Sequence, residues 1–210
     1  MNGDGALQNT NTSTAAVLNG TVAFGGQNYV GGNGDIVFNG VVSGGTNNVY
    51  ALYKQGAGTW TFANPANTFD GFYYQIGGVT EVTKLANQGE ASSLGQPSNS
   101  SQNLVSFGFN GSGGGTIRYT GTAASTSDRA FSLRGDTATS SNTIEAAGRS
   151  SAATLTLTGG LTAGRAAAYT ARLTGTNTGV NDYAGSIADG SSGGTVALAK
   201  EGSTVWALTG

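Results

Sequence analysis

The strongest constraint on the fold of this chain is a pattern of short segments in which apolar and small polar residues alternate. Such alternation is typical of β-strands with one buried face, because successive side chains point to opposite sides. Glycine-containing pairs such as Asn19-Gly20 and Asp70-Gly71 separate the segments and favour tight turns. No segment keeps the apolar period of a helix over three turns. The sequence therefore predicts an all-β protein, with strands at 22–24, 36–38, 50–52, 60–62, 105–109, 117–119, 131–133, 154–158, 196–198 and 206–208.

A long internal repeat helps to choose among the all-β architectures. Residues 54–62, Lys-Gln-Gly-Ala-Gly-Thr-Trp-Thr-Phe, recur at 200–208 as Lys-Glu-Gly-Ser-Thr-Val-Trp-Ala-Leu, 146 residues later. Upstream, residues 38–46 recur at 183–191 with an offset of 145. Short strands between glycine turns fit a sandwich, a barrel or a parallel β-helix. Repetition of a whole set of strands favours an open array of stacked coils over a closed barrel.

We therefore predict that residues 1–210 form a single β-solenoid domain with the internal repeat 38–62/183–208. Coils of roughly 20–25 residues, stacked about 4.8 Å apart, would give about nine coils and a rod on the order of 45 Å long. Trp60 and Trp206 hold the same position in the two repeats. This predicts a shared packing role for the two indoles rather than a platform for stacking carbohydrate.

Composition raises the alternative of a disordered, low-complexity chain. Gly, Ser, Thr and Asn supply 103 of the 210 residues, and Leu, Ile, Val and Phe together fall below a fifth. Disordered chains usually carry a high net charge, whereas only 10% of these residues are charged and the net charge is −2. The aromatic residues are also spread along the alternating segments. A folded protein with a narrow core is the better interpretation.

The absence of His and Cys excludes many kinds of site. A Ser-His-Asp relay, a Cys-His pair, a thiolate metal centre and a disulfide framework all require one of these residues. The mild acidity and the lack of a Lys/Arg cluster argue against nucleic acid or anionic lipid as partners. No segment approaches the roughly 18 apolar residues of a membrane span. The residues after Met1 lack the basic and apolar regions of a signal peptide.

The first repeat carries a resemblance to a known family. Residues 54–71 read Lys-x-Gly-x-Gly-Thr-Trp-x-Phe-x-Asn-Pro-x-Asn-x-Phe-x-Gly, and Gly77-Gly-Val79 follows. This pattern resembles the autotransporter-associated β-strand repeat of very large bacterial surface proteins. Residues 116–129 and 173–178 resemble the spacer segments between such repeats. The chain departs from the family at Asn64-Pro65, where a Gly-containing turn is usual, and the second copy lacks its Asn-x-Tyr-x-Gly half.

The resemblance implies a right-handed parallel β-helix, secretion by a Gram-negative-type cell and a place on the bacterial surface. It implies no catalytic residues.

Two motifs match functional patterns only in part. Residues 190–194, Gly-Ser-Ser-Gly-Gly, fit the Gly-x-Ser-x-Gly nucleophile elbow, but the chain has no histidine to act as base, so we predict a loop. Residues 31–38 nearly match the calcium-binding nonapeptide of β-rolls. Asp35 comes one residue early and the motif occurs once, whereas a calcium ion takes six to eight oxygen ligands. A turn is the better interpretation.

The carboxylates are too dispersed along the sequence to predict a catalytic pair. Tyr73 and Tyr74 are adjacent and could form an exposed aromatic step. We therefore predict that catalytic, cofactor-binding and metal-binding residues are all absent, and that the protein is not an enzyme. The acids that we considered are Asp35, Asp70, Glu81, Asp128, Asp136, Glu145, Asp182, Asp189 and Glu201.

The favoured function is that of an extracellular structural protein: a β-helical stalk, adhesin or fibre-forming segment. Open solenoid ends invite pairing, so we expect head-to-tail stacking into filaments, with the half-motif near Gly210 continued by residues 1–18 of the next copy. A surface polysaccharide or a cell receptor is a further expected partner. The alternative is a carbohydrate-binding or carbohydrate-cleaving β-helix, such as a surface or phage depolymerase. A disordered matrix protein is a third possibility.

Overall fold

The fold consists of short parallel strands that follow one another around a narrow core. The computed structural model describes residues 7–45, 50–135 and 141–210, and within them it contains strands and turns but no helix. The strands are β1 (Leu7–Gln8), β2 (Ala16–Leu18), β3 (Val22–Phe24), β4 (Gln27–Gly31), β5 (Ile36–Phe38), β6 (Val42–Gly44), β7 (Ala51–Lys54), β8 (Thr59–Phe62), β9 (Phe72–Gln75), β10 (Val79–Val82), β11 (Leu104–Phe107), β12 (Gly115–Tyr119), β13 (Ser125–Ser127), β14 (Ala130–Leu133), β15 (Asn142–Ala146), β16 (Leu155–Leu157), β17 (Leu161–Ala163), β18 (Ala168–Gly175), β19 (Val180–Tyr183), β20 (Ile187–Ala188), β21 (Thr195–Lys200) and β22 (Val205–Leu208).

Successive strands fall in turn on three faces, so that each circuit of the chain makes one coil. The first face has the strand order β1-β4-β7-β9-β11-β14-β17-β20, and the second has β2-β5-β8-β10-β12-β15-β18-β21. The third face contains the pair β3-β6 and the sheet β13-β16-β19-β22. Neighbouring strands pair in parallel, as in β10 with β12 and β11 with β14. The predicted parallel β-helix is confirmed, and its right-handed sense, the usual one for parallel crossovers, stays a prediction.

Coil length varies more than the sequence indicated. Ala51 pairs with Phe72, 21 residues further on, whereas Tyr73 pairs with Val105, 32 residues further on. The expectation of about nine coils was therefore too high, because the described residues form eight. Seven steps between coils correspond to a stack of roughly 34 Å.

Much of the extra length lies in a detour of the fourth coil, residues 83–103, which we call the excursion. In the preceding coil the third face is irregular but continuous, since the Thr68 amide donates to the Val42 carbonyl at 2.9 Å. The excursion leaves the stack at Lys84, turns and returns. On its return the Gln96 amide donates to the Phe69 carbonyl at 2.9 Å. The excursion therefore occupies the third face of the fourth coil without forming a regular strand.

The two sequence repeats have similar local structure but lie on different faces. Lys54 ends β7 on the first face and Trp60 lies in β8 on the second. Lys200 ends β21 on the second face and Trp206 lies in β22 on the third. The two tryptophans therefore lie on different faces, but both pack against the core, Trp60 fully buried and Trp206 partly exposed. The motif forms a corner between successive faces, and a coil with several corners can accept it at more than one of them.

Inward side chains of successive strands form rows along the axis of the stack. Ile36 and Trp60 are paired in one row, Phe38 and Phe62 in the next, and all four are fully buried. The Phe38 and Phe62 rings stack with centroids 5.0 Å apart, and the Trp60 ring meets Phe38 edge-on at 5.9 Å. Stacked aromatic rings let a chain with few large apolar residues fill its core.

The corner between the first and second faces requires glycine. Gly56 has φ of +71°, and a Cβ placed there would lie 2.1 Å from the carbonyl oxygen of Gly32 in the coil before. Gly78 follows in the next coil with φ of +61°, and a Cβ there would lie 2.5 Å from the Gly58 carbonyl oxygen. Adjacent coils approach so closely at this corner that a side chain does not fit.

We expect Gly56→Ala to lower the free energy of unfolding by at least about 2 kcal/mol, because it adds left-handed strain to a clash with backbone. Two control variants separate these causes. Gly193 has φ of +82° with open space around it, so Gly193→Ala should cost about 1 kcal/mol. Gly25 has open space and no positive φ, so Gly25→Ala should change stability by less than about 0.5 kcal/mol. Urea denaturation of the three variants measures the order, and equal costs would contradict the close packing.

Candidate functional site

A cleft of about 790 Å³ opens at the corner between the second and third faces. The excursion forms one wall through residues 83–87, and the turn that leads into β13 forms the other through residues 119–126. Lys84, Glu90 and Arg149 supply its charged groups, and alanines and threonines supply most of the rest. The cleft spans the third to sixth coils and so runs along the rod.

Serine side chains hold the two walls of the cleft together. The Leu85 amide donates to the Ser125 hydroxyl at 2.9 Å, and the same hydroxyl donates to the Leu85 carbonyl at 2.6 Å. The Ser127 hydroxyl donates to the Ala86 carbonyl at 2.8 Å. On the third face these side-chain bonds take the place of the backbone ladder that joins β13 to β16. The inner wall of the cleft is therefore fixed by hydrogen bonds that have no charged member.

Arg129 anchors the far side of the excursion. Its side chain is 1% exposed, and one guanidinium nitrogen, Nη2, donates to the carbonyls of Leu94 at 2.7 Å and Gly95 at 3.2 Å. Burial lowers the pKa of Arg129 to about 10, and the neighbouring Asp128 carboxylate acts in the opposite direction. The side chain remains a cation at neutral pH and ties the returning limb of the excursion to the core.

A charged row crosses the outer surface of the second face. Arg118 lies between Glu81 and Glu145 in the register of β10, β12 and β15, and its nitrogens lie 3.1 Å and 2.7 Å from their carboxylate oxygens. Partial burial acts to lower the pKa of Arg118, but its bonds to Glu145 and Glu81 outweigh this and raise it. The Thr61 hydroxyl extends the row with a bond to Glu81 at 3.1 Å. Both carboxylates are thus engaged by one guanidinium, an arrangement that does not favour the acid and nucleophile roles of a glycosidase.

An aromatic row covers the outer surface of the first face. Tyr29, Tyr53 and Tyr74 are successive register partners, with ring centroids 4.4 Å and 4.8 Å apart. Phe109 meets the rings of Tyr53 and Tyr74 edge-on, at 5.2 Å and 5.0 Å. Burial, with the nearby Tyr29 and Tyr74, raises the pKa of Tyr53 to about 12. The faces of these rings are occupied by one another, so the row is a packing feature.

The expected aromatic step of Tyr73 and Tyr74 is not formed. Tyr73 points inward and is fully buried, whereas Tyr74 points outward into the aromatic row. Neighbours along a strand face opposite sides, so adjacent tyrosines cannot form a step on one surface. The spacing of the tyrosines in the sequence is consistent with this row, but the row can be predicted only when the length of each coil is known.

The acids that we considered serve mainly as hydrogen-bond acceptors and ion-pair partners. Asp35 accepts from the Thr59 amide of the next coil at 2.7 Å, whereas Asp189 accepts from the Val196 amide at 2.8 Å and supports a turn. The 190–194 segment is the turn between β20 and β21. Within 7–45, 50–135 and 141–210, no three acids lie close enough to hold a metal ion. Asp136 lies outside the described residues.

Lys54 is a buried cationic residue that the sequence did not indicate. Its side chain is fully buried, and its ammonium group donates to the carbonyls of Gln55 at 3.1 Å, Gly56 at 3.2 Å and Gly77 at 3.0 Å. The nitrogen also lies 5.3 Å from the Trp60 ring centroid. Burial lowers the pKa of Lys54 to about 7, against a smaller opposing effect of the Asp35 carboxylate. Lys54 therefore joins two coils at their glycine corner.

The buried ammonium should make stability depend on pH. Between about 7 and the ordinary lysine value of 10.5, the unfolded chain binds a proton at Lys54 that the folded chain does not. Stability therefore rises with pH across this window. At pH values below the window, the full cost of burying the charge applies. Between pH 7 and 10.5, we expect the free energy of unfolding of wild type to rise by up to roughly 4 kcal/mol relative to that of Lys54→Met. Paired urea titrations measure this difference, and a pH-independent gap between the two proteins would contradict it.

The sequence is similar to part of a bacterial adhesin. Over 169 residues, 79% of the chain, the sequence is 36% identical to the adhesin BmaC autotransporter of Brucella suis biovar 1 (strain 1330). The matched part is 5% of that protein, so the chain spans about a twentieth of the relative's length. No family model matches the chain, and no solved structure matches it. The resemblance to autotransporter-associated surface proteins is confirmed.

Proposed function

We propose, from this similarity to part of an autotransporter adhesin, that the chain is an extracellular, non-enzymatic segment of a bacterial surface protein that acts as a rigid stalk. The observation that carries the proposal is the uninterrupted stack of eight parallel coils on the first and second faces. A stack of this kind adds about 4.8 Å of length per coil and presents a long surface with few charges. It can hold a binding region away from the cell and contribute to adhesion itself.

The packing supports a load-bearing role. Backbone hydrogen bonds join each coil to the next on both continuous faces, as between β12 and β15 over five residue pairs. Extending the rod requires many such bonds to break together. No helix in the described part of the chain is long and apolar enough to cross a membrane.

Surface display tests this function. The chain is fused to an outer-surface anchor on a non-adherent bacterium. A Gly56→Ala version displayed at the same level is the control, because its coils are destabilised. We expect the wild-type segment to resist added protease and to raise adherence to host-cell monolayers or polysaccharide-coated plates. Rapid degradation of the wild-type segment would overturn the stalk. Resistance without any gain in adherence would overturn the adhesive contribution.

We also propose that copies of this segment stack head-to-tail into filaments. The last coil supports this, because Leu208 is 56% exposed although it continues the inward row of the buried Tyr183. The predicted partner region, residues 1–18, is described only from Leu7 onward. Negative-stain micrographs of the purified chain are expected to show rods several times longer than one eight-coil stack. Monodisperse short rods at high concentration would contradict filament formation.

A further inference from the structure

The cleft contains one cation that makes no ion pair with a described residue. Arg149 lines the cleft, is exposed, and takes part in none of the ion pairs that the described residues form. On the opposite wall the Lys84 ammonium donates to the carbonyl of Ala91, the residue after Glu90, at 2.9 Å. That wall therefore carries one charge of each sign. Among the residues that line the cleft, the charge left without an opposite charge is the guanidinium of Arg149.

The turn that carries Arg149 is held by the coils on both sides of it. The Arg149 amide donates to the Gly121 carbonyl of the preceding coil at 2.9 Å. From the following coil, the side-chain amide of Asn177 donates to the carbonyls of Gly148 at 3.1 Å and Ser150 at 2.6 Å, and Asn177 is only 2% exposed. The backbone that presents the guanidinium is therefore fixed before a ligand binds, which lowers the entropic cost of binding.

The rest of the cleft has the size and the surface of a site for a short saccharide. Its volume of about 790 Å³ lies within the range of small-molecule sites. It spans four coils, and three steps of about 4.8 Å give a length of roughly 14 Å. Thr122 and Thr126 provide exposed hydroxyls, and Ala63, Ala123 and Ala124 provide methyl groups. Hydroxyls and small apolar groups together match a sugar ring, which presents both hydroxyls and C–H groups.

An extended peptide fits the cleft less well, because the strand edge that it would use is already covered. Peptides that add to a sheet bind the free backbone groups of an edge strand. The edge strand here is β13, the first strand of its sheet. The Ser125 and Ser127 hydroxyls of β13 donate to carbonyls of the excursion, and the Asp128 amide that follows donates to the Asn87 side chain at 3.0 Å. The excursion thus occupies this edge, and the ligand is left with the side chains of the cleft.

We propose that the cleft binds a saccharide that carries a carboxylate, such as a uronic acid, and that Arg149 recognises this carboxylate. A guanidinium group binds a carboxylate through two parallel N–H···O bonds, a geometry that a lysine cannot reproduce. The threonine hydroxyls bind the hydroxyls of the sugar. Glu90 in the opposite wall repels a carboxylate there, so the acidic group of the sugar faces Arg149. This inference rests on the proposed adhesive contribution of the segment and assigns it a site and a class of ligand.

Isothermal titration calorimetry of the purified chain tests this site, with oligosaccharides of hyaluronan, alginate and polygalacturonate as probes. We expect wild type to bind at least one probe, and Arg149→Gln to weaken that binding at least about tenfold, because a charge-assisted pair is lost. Arg149→Lys keeps the charge and should retain part of the affinity. Arg165→Gln is the matched control, since Arg165 is an exposed arginine outside the cleft, and it should bind as wild type does. No binding of wild type to any probe, or equal binding by Arg149→Gln, would overturn the site.

Two further probes test the class of ligand. The bound oligosaccharide with its carboxylates reduced to alcohols should bind at least about tenfold more weakly, because the sugar rings remain but the charge is gone. Poly-glutamate should bind more weakly than the oligosaccharide, and the opposite order would show an acidic peptide ligand and overturn the saccharide. Adherence of displayed cells without binding of any probe would overturn this site while the proposed function stands. Degradation of the displayed segment would overturn the stalk, whatever the purified chain binds.

Discussion

Replacing Trp60 with alanine is expected to lower the free energy of unfolding by about 3–5 kcal/mol, whereas the same change at Trp206 is expected to cost about 1–2 kcal/mol. Trp60 is fully buried and meets Phe38 and Phe62 edge-on, with ring centroids 5.9 Å and 6.2 Å away. Its removal leaves a cavity between stacked coils. Trp206 is partly exposed on the last coil, where its indole N–H donates to the Thr174 carbonyl at 3.1 Å.

Urea denaturation of the two alanine variants measures this difference directly. The single-tryptophan variants Trp60→Phe and Trp206→Phe provide an independent control, because each reports the environment of the indole that remains. Trp60 alone should emit at shorter wavelength and resist quenching by acrylamide, whereas Trp206 alone should be quenched readily. Equal stability losses and equal quenching would instead support the equivalence that the sequence repeat predicted.

The alternation pattern predicted strand positions well, because it depends only on which side chains face the core. All ten predicted segments coincide with or overlap strands, including β3 and β5 at their full observed lengths. The other twelve strands of the described residues were missed, including β18, which alternates, and strands without alternation. In β13 the residues are Ser-Thr-Ser, and this strand buries hydroxyls that bind Leu85 and Ala86 rather than apolar groups. Polar inward rows of this kind have no signature in hydrophobicity.

The positions of faces and sites were beyond the reach of the sequence, because they depend on coil length. A repeat offset of 146 residues contains several coils of unequal size, so it could not show that Lys200 lies one face beyond Lys54. The same variation conceals the row formed by Tyr29, Tyr53 and Tyr74. The cleft depends on the excursion, whose course is fixed by long-range contacts rather than by local pattern.

Buried cations were missed for a different reason. Lysine and arginine are usually exposed, so a sequence analysis places them on the surface. Lys54 and Arg129 are buried because each binds backbone carbonyls that the strand ladders leave available at corners. Parallel coils create such carbonyls wherever the chain turns. Long basic side chains can therefore join the coils of a solenoid from within, a role that composition does not reveal.

Arg129→Ala is expected to lower the free energy of unfolding by about 2–4 kcal/mol and to release the excursion. The Leu94 carbonyl loses its guanidinium donor in a buried environment, and the space left by the side chain is a cavity against the core. The Gly95 carbonyl keeps bonds from the Ser92 amide and hydroxyl. The returning limb should therefore loosen at Leu94 while the turn itself persists.

Limited trypsin digestion reports this loosening at one place, because Lys84 lies in the excursion and its carbonyl accepts from the Ser93 amide at 2.9 Å. Mass spectrometry should detect cleavage after Lys84 earlier in Arg129→Ala than in wild type. Arg165→Ala, a change at an exposed arginine outside the excursion, is the control. It removes one trypsin site but should alter neither stability nor the rate of cleavage after Lys84. If Arg129→Ala instead unfolds globally with no early cleavage at Lys84, then Arg129 supports the core as a whole, and the excursion is held by its other bonds, such as those of Ser125, Ser127 and the Gln96 amide.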